Sequence, residues 1–112
     1  MLAAGGTGGH LFPALALAQE LGRRGYAVDL MTDMRGDRYG SDFPARDIYL
    51  VPSATIGERR SALETIRTAI TLARGILTAY RQLASVKPGA VIGFGGYPSF
   101  PPVMAAWLRR IP

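Results

Sequence analysis

Two glycine-rich loops constrain this chain more than any other feature: Gly5-Gly6-Thr7-Gly8-Gly9-His10 near the start and Gly93-Phe94-Gly95-Gly96-Tyr97-Pro98 near the end. Each follows an apolar run and precedes a helix-like segment, so each reads as a strand-to-helix turn. Glycine lets the backbone take positive φ and lets another molecule come close to the main chain, and the N–H groups at a helix start suit an anion. A diphosphate or a sugar phosphate fits such a place. Seven of the fourteen glycines lie in these two loops, more than ordinary turns require, and the loops read as two halves of one site.

A chain of 112 residues with 48% hydrophobic content can bury the core of one domain rather than two. Met1-Leu2-Ala3-Ala4 is short for a central strand, and Ile111-Pro112 reads as the opening of a further strand. The expectation is therefore the N-terminal part of a longer protein. There is no cysteine, so neither a disulfide framework nor a thiolate metal site is available. No stretch approaches the ~18 uncharged apolar residues of a membrane span, and the start lacks a basic segment followed by an apolar signal core. A soluble or peripheral protein is expected. The formal charge of +5 is unevenly placed, with a net −1 over residues 1–56 and +6 over residues 57–112. The second half is suited to an anionic surface, either nucleic acid or membrane.

The order of elements follows from the apolar pattern. Pro13 suits the first turn of a helix carrying Leu15, Leu17, Ala18 and Leu21 and ending around Gly22 to Gly25. Ala27 to Thr32 reads as a short buried strand, Asp33 to Ala45 as a loop with one helical turn, and Asp47 to Pro52 as a third strand. Ser61 to Val86 predicts one long helix whose buried face is Leu63, Ile66, Ile70, Ala73, Leu77 and Tyr80, stopped by Lys87-Pro88-Gly89. Ala90 to Phe94 is a fourth strand, and Pro101-Pro102 opens a helix through Leu108. Right-handed crossovers between these elements predict a doubly wound parallel α/β sheet of Rossmann-like type. Both glycine loops then fall at the carboxyl ends of strands, where such sheets bind ligands.

The first loop lacks the Gly-Lys-Ser/Thr of a P-loop, and the third glycine of a dinucleotide fingerprint would fall at Leu11. Asp33, at the end of the second strand, can still stand for a ribose-binding acid, which keeps a dinucleotide-dependent oxidoreductase open. His10 is the only histidine. Its place directly after the loop puts it beside any anion held there, as a base or a hydrogen-bond donor. No second histidine or cysteine exists for a metal cluster.

In the long helix Arg60, Arg67, Arg74 and Arg81 recur every seven residues on one slowly drifting stripe. Ala69, Leu72, Ile76, Ala79 and Leu83 form a second apolar track beside the expected core face. Apolar surface flanked by arginines suits an anionic leaflet, with Arg67, Leu72, Arg74, Ile76 and Arg81 as the contact residues. Few aromatics interleave with the arginines, which disfavours single-stranded nucleic acid. A non-catalytic membrane-binding module is a further open reading.

Taken together these residues resemble the N-terminal domain of the MurG family, bacterial peptidoglycan glycosyltransferases that add N-acetylglucosamine to lipid I. Ala3-Ala4-Gly5-Gly6-Thr7-Gly8-Gly9-His10 with Pro13-Ala14-Leu15-Ala16 looks like the family's first glycine loop and helix. Gly93-Phe94-Gly95-Gly96-Tyr97-Pro98-Ser99 with Ala105-Ala106-Trp107 looks like the second, with Arg81-Gln82 and Lys87-Pro88 between. Ser53 to Arg60 departs from the glycine- and lysine-rich stretch of the family. The resemblance implies the N-terminal half of a two-domain, inverting GT-B enzyme, with no cofactor and no metal held by an Asp-x-Asp motif. Thr7, Gly8 and Gly9 would approach the donor, UDP-N-acetylglucosamine. Gly95, Gly96 and Tyr97 would face the lipid-linked acceptor. The implied partners are those two substrates, an anionic membrane surface and other cell-wall synthesis proteins, without nucleic acid, at the cytoplasmic face of the bacterial inner membrane.

Overall fold

The computed structural model describes residues 1–33, 42–55 and 61–112. In chain order they form β1 (Leu2–Ala3), α1 (Gly8–Arg23), β2 (Leu30–Thr32), β3 (Ile48–Leu50), α2 (Ala62–Val86), β4 (Ile92–Gly93), a 3-10 turn (Tyr97–Ser99) and α3 (Phe100–Leu108). The expected helical turn between Asp33 and Ala45 falls largely outside the described residues. So do Arg60 and most of the segment that departs from the family pattern.

All strand pairings are parallel, in the order β3-β2-β1-β4. Each strand is shorter than its apolar run. β1 is nonetheless central: Leu2 pairs with Leu30 on one side and Ile92 on the other, Ala3 with Met31 and Gly93. Backbone bonds from Leu2 to Asp29, Ala4 to Met31, Ile92 to Met1 and Phe94 to Ala3 extend the ladder past both ends of the assigned strand. Four residues are thus enough to occupy the middle of this sheet.

Alternation along the strands divides the interior into two cores. Leu2, Ala4, Val28 and Leu30 point to α1 and pack with Leu11, Ala14, Ala18 and Phe43. Met31 and Val51 point the other way and pack with Ala79 and Leu83 of α2 and Ala105 and Ala106 of α3. The result is a doubly wound parallel α/β fold, as its sequence predicts. β1 connects through α1 to β2 on one side, and the chain later returns through α2 to β4 on the other. The crevice between the carboxyl ends of β1 and β4 is therefore the topological switch point.

Helix α1 begins inside the first glycine loop, at Gly8, and Pro13 lies within the helix rather than in its first turn. Helix α2 has the expected span. It is closed at its start by a capping box, in which Ser61 Oγ accepts from the Glu64 amide and the Glu64 carboxylate accepts from the Ser61 amide.

The buried face of α2 is the reverse of the one its large apolar residues suggest. Leu63, Ile66, Ile70, Ala73, Leu77 and Tyr80 are exposed, while Gly75, Ala79 and Leu83 are buried and Leu72 and Ile76 are half-buried on the same side. The reason is close packing. A Cβ on Gly75 would lie 2.1 Å from the carbonyl oxygen of Pro52 and 3.2 Å from Pro101 of α3. Only a small-residue face lets α2 approach the end of β3 and the start of α3 so nearly. Leu83, with no exposed surface, anchors that face and its burial contributes about 1.5–3 kcal/mol. Leu72 and Ile76 are half-buried, Ile76 against the core beneath α2, and the exposed apolar surface of α2 is carried by Leu63, Ile66, Ile70 and Leu77. Among the described residues no helix is long and apolar enough to cross a membrane.

Candidate functional site

The first loop leaves β1 at Gly5, turns through Gly6 at φ 81° and enters α1 after Thr7, whose backbone is extended. The Thr7 side chain makes no capping hydrogen bond. His10 and Leu11 donate to the Thr7 carbonyl, and the amides of Gly8 and Gly9, as at any helix start, have no intrahelical acceptor. A Cβ on Gly8 would meet only the ring of Phe12, a flexible and well exposed side chain. The Gly9 position is open to within 3.8 Å. The start of α1 is thus accessible to a ligand.

The second loop is held against the first by His10. Its Nδ1 lies 3.1 Å from the Phe94 carbonyl, across 84 residues of sequence. A carbonyl can only accept, so Nδ1 carries the hydrogen and donates it. In the neutral ring Nε2 then keeps its lone pair. The ring packs against Gly95 and Gly96, both at positive φ: a Cβ on Gly95 would come within 3.5 Å of it, and one on Gly96 within 3.0 Å. These two glycines serve the backbone and the histidine as well as any ligand. Ser99, almost fully buried, closes the loop by donating from Oγ to the Gly96 carbonyl at 3.0 Å. Ser99 stands in the second motif, where its residue type and spacing alone assign it no role.

A cavity of about 170 Å³ lies where the loops meet, lined by Gly5, Thr7, His10, Asp33, Gly96 and Tyr97 among others. It sits at the switch point. Thr7, His10, Gly96 and Tyr97 are thus brought together as their motifs suggest, while Gly8 and Gly9 stand beside the cavity at the start of α1. Asp33 follows β2, is buried, and accepts from Ser53 Oγ at 3.3 Å. Beside the second loop, an apolar groove of about 560 Å³ runs along Phe100, Val103, Met104 and Trp107. Among the described residues no three His, Asp or Glu side chains cluster to hold a metal ion. Arg67, Arg74 and Arg81 are exposed on the outer face of α2, apart from the cavity residues.

A doubly wound sheet with two glycine loops joined by a histidine at its switch point defines a Rossmann-like ligand-binding domain. The whole chain, residues 1–112, matches the glycosyltransferase family 28 N-terminal domain, and the chain belongs to that family. It is 56% identical over 106 residues to a protein of Allorhizobium ampelinum and 51% identical over 112 residues to one of Rhizobium rhizogenes. Both relatives are named UDP-N-acetylglucosamine–N-acetylmuramyl-(pentapeptide) pyrophosphoryl-undecaprenol N-acetylglucosamine transferase. The alignments cover 95% and 100% of this chain, but only 28% and 30% of the relatives. The crystal structure of Acinetobacter baumannii MurG superposes with a TM-score of 0.72 at 33% identity, over 100% of this chain and 31% of that one. The chain thus spans about 30% of the length of the relatives it matches. Family membership displaces the oxidoreductase reading and that of a purely membrane-binding module.

Proposed function

We propose that this chain is the acceptor-side and membrane-side part of a two-domain inverting transferase. The enzyme moves N-acetylglucosamine from UDP-N-acetylglucosamine to the 4-hydroxyl of the muramoyl sugar of lipid I, giving lipid II. The observation that carries the reading is His10, which joins both glycine loops and has its tautomer set by the Phe94 carbonyl. With Nδ1–H engaged, Nε2 is the atom able to take the proton of the attacking hydroxyl. The oxygen then bonds to the anomeric carbon from the face opposite UDP, the bond from that carbon to the diphosphate oxygen breaks, and UDP leaves. The start of α1 at Gly8 and Gly9 is oriented to stabilise diphosphate charge through its amides and helix dipole. The names of the relatives support this substrate pair.

Peripheral membrane contact is part of the same reading, on the cytoplasmic leaflet where a lipid-anchored acceptor is met. Its surface is the outer face of α2, where Leu63, Ile66, Ile70 and Leu77 lie beside Arg67, Arg74 and Arg81. Inserted apolar area and attraction to anionic headgroups then act together.

The test is sugar transfer by the full-length enzyme containing this chain, with and without His10→Ala. Loss of the base lowers kcat by on the order of 10²-fold or more while donor affinity and the melt persist. A His10→Ala enzyme with an unchanged kcat would remove the histidine from the chemistry and leave it a strut between loops.

A further inference from the structure

The carboxyl end of β2 delivers to the cavity a group that the transfer chemistry above does not use. Asp33 is 6% exposed and lines the same cavity as His10 and Gly96. Its Oδ2 accepts from Ser53 Oγ at 3.3 Å, and its Oδ1 lies 3.0 Å from where a Cβ on Gly5 would stand. Thr32 Oγ1, fully buried, lies 2.6 Å from that same point and has no hydrogen-bond partner among the described residues. Two oxygens of β2 and the loop after it therefore converge on the glycine that opens the first loop.

Charge and size both limit what the cavity can take. A buried carboxylate repels a diphosphate in a setting where water screens the two charges poorly. It binds a hydroxyl well, because an ionised carboxylate only accepts and has several lone-pair sites. The volume of about 170 Å³ falls below the ~300 Å³ at which pockets for drug-sized ligands begin. That is room for about one ring. We infer that the cavity is a subsite for a neutral pyranose, with Asp33 accepting a hydrogen bond from one ring hydroxyl, and that the diphosphate lies outside it at the Gly8–Gly9 start of α1. The inference rests on the transferase reading and adds to it the residue that selects the sugar.

The donor sugar and the acceptor sugar present the same chemistry, so the experiment takes both. In the full-length enzyme, D33A, D33N and S53A are measured with each substrate and with monodeoxy analogues of each sugar. D33A should raise KM about 10–100-fold for one substrate only, as expected for a lost charge-assisted hydrogen bond. D33N, which keeps an acceptor but no charge, should fall between D33A and the unaltered enzyme. The analogue lacking the recognised hydroxyl should lose the same factor with unaltered enzyme and nothing further with D33A. S53A removes one hydrogen-bond donor to Asp33 and should shift KM less than threefold. Equal losses in D33A and S53A, or KM values within threefold throughout, would make Asp33 a strut and overturn the subsite. Should the variants fail to fold, the unaltered enzyme decides, since a monodeoxy series in which no member loses tenfold also overturns it. Absence of transfer by the unaltered enzyme would instead overturn the transferase reading, and this inference with it.

Discussion

Substituting Gly96 with alanine tests the joint between the loops more directly than removing His10 does. Gly96 lies at φ 73° and ψ 168°, and its Cβ would stand 3.0 Å from Cδ2 and 3.2 Å from Nε2 of His10. That backbone region is almost confined to glycine and costs another residue about 1–3 kcal/mol, before the ring is asked to move a few tenths of an ångström. The bond from His10 Nδ1 to Phe94 contributes only about 1 kcal/mol net. The added Cβ also crowds the ring, and a bond of that size is too weak to hold the ring against the contact, so the ring gives up the bond and Nε2 loses its fixed direction. In the full-length enzyme Gly96→Ala should lower kcat by about tenfold or more, part of the 10²-fold scale of a positioned base. Measured in a cycle with His10→Ala, the same change should cost less once the imidazole is gone, because only the backbone strain remains. Kinetics and melts of all four proteins supply the cycle. An identical factor for Gly96→Ala with and without the imidazole would refute the idea that this glycine is there for the histidine.

Two further predictions concern α2. Gly75→Ala, which in an open helix would stabilise by up to ~1 kcal/mol, here meets the Pro52 carbonyl at 2.1 Å; overpacking of about 1–3 kcal/mol should lower the melting temperature of the chain, while Gly22→Ala, with nothing within 4 Å, should leave it unchanged or raise it. A higher melting temperature for Gly75→Ala would overturn the close approach of α2 to β3. Binding to anionic vesicles should weaken in Ile70→Ser/Leu77→Ser and in Arg67→Glu/Arg74→Glu/Arg81→Glu, and high salt should release the unaltered protein only in part; equal sedimentation with neutral and anionic vesicles would assign the arginines to an ordinary solvated face.

Local signals carried far in this chain. Glycine clusters mark strand-to-helix turns by their own stereochemistry, so both loops, the sequence of elements and the span of α2 were legible from residue types alone. Asp33 is legible too, as an acid at the end of the second strand. The strands are shorter than their apolar runs, because each run continues past the few residues that pair. Pro13 marked a helix start one turn late, since the first turn of α1 is built from the loop's own glycines.

What the sequence by itself determined is therefore the set of elements, the two loops and the family, all of which depend on neighbours a few residues apart. Which face of α2 is buried was decided only by tertiary structure. Two stripes on that helix share the same helical spacing, and periodicity cannot choose between them. The choice fell to Gly75 and Ala79 because α3 and the end of β3 press close, and the larger side chains were left outside. The same holds for the site. No local rule says that a histidine at position 10 donates to a carbonyl at position 94, or that Asp33 shares a cavity with that histidine. Those contacts exist because parallel pairing sets the carboxyl ends of β1, β2 and β4 side by side, and that alignment is a property of the sheet rather than of any one segment.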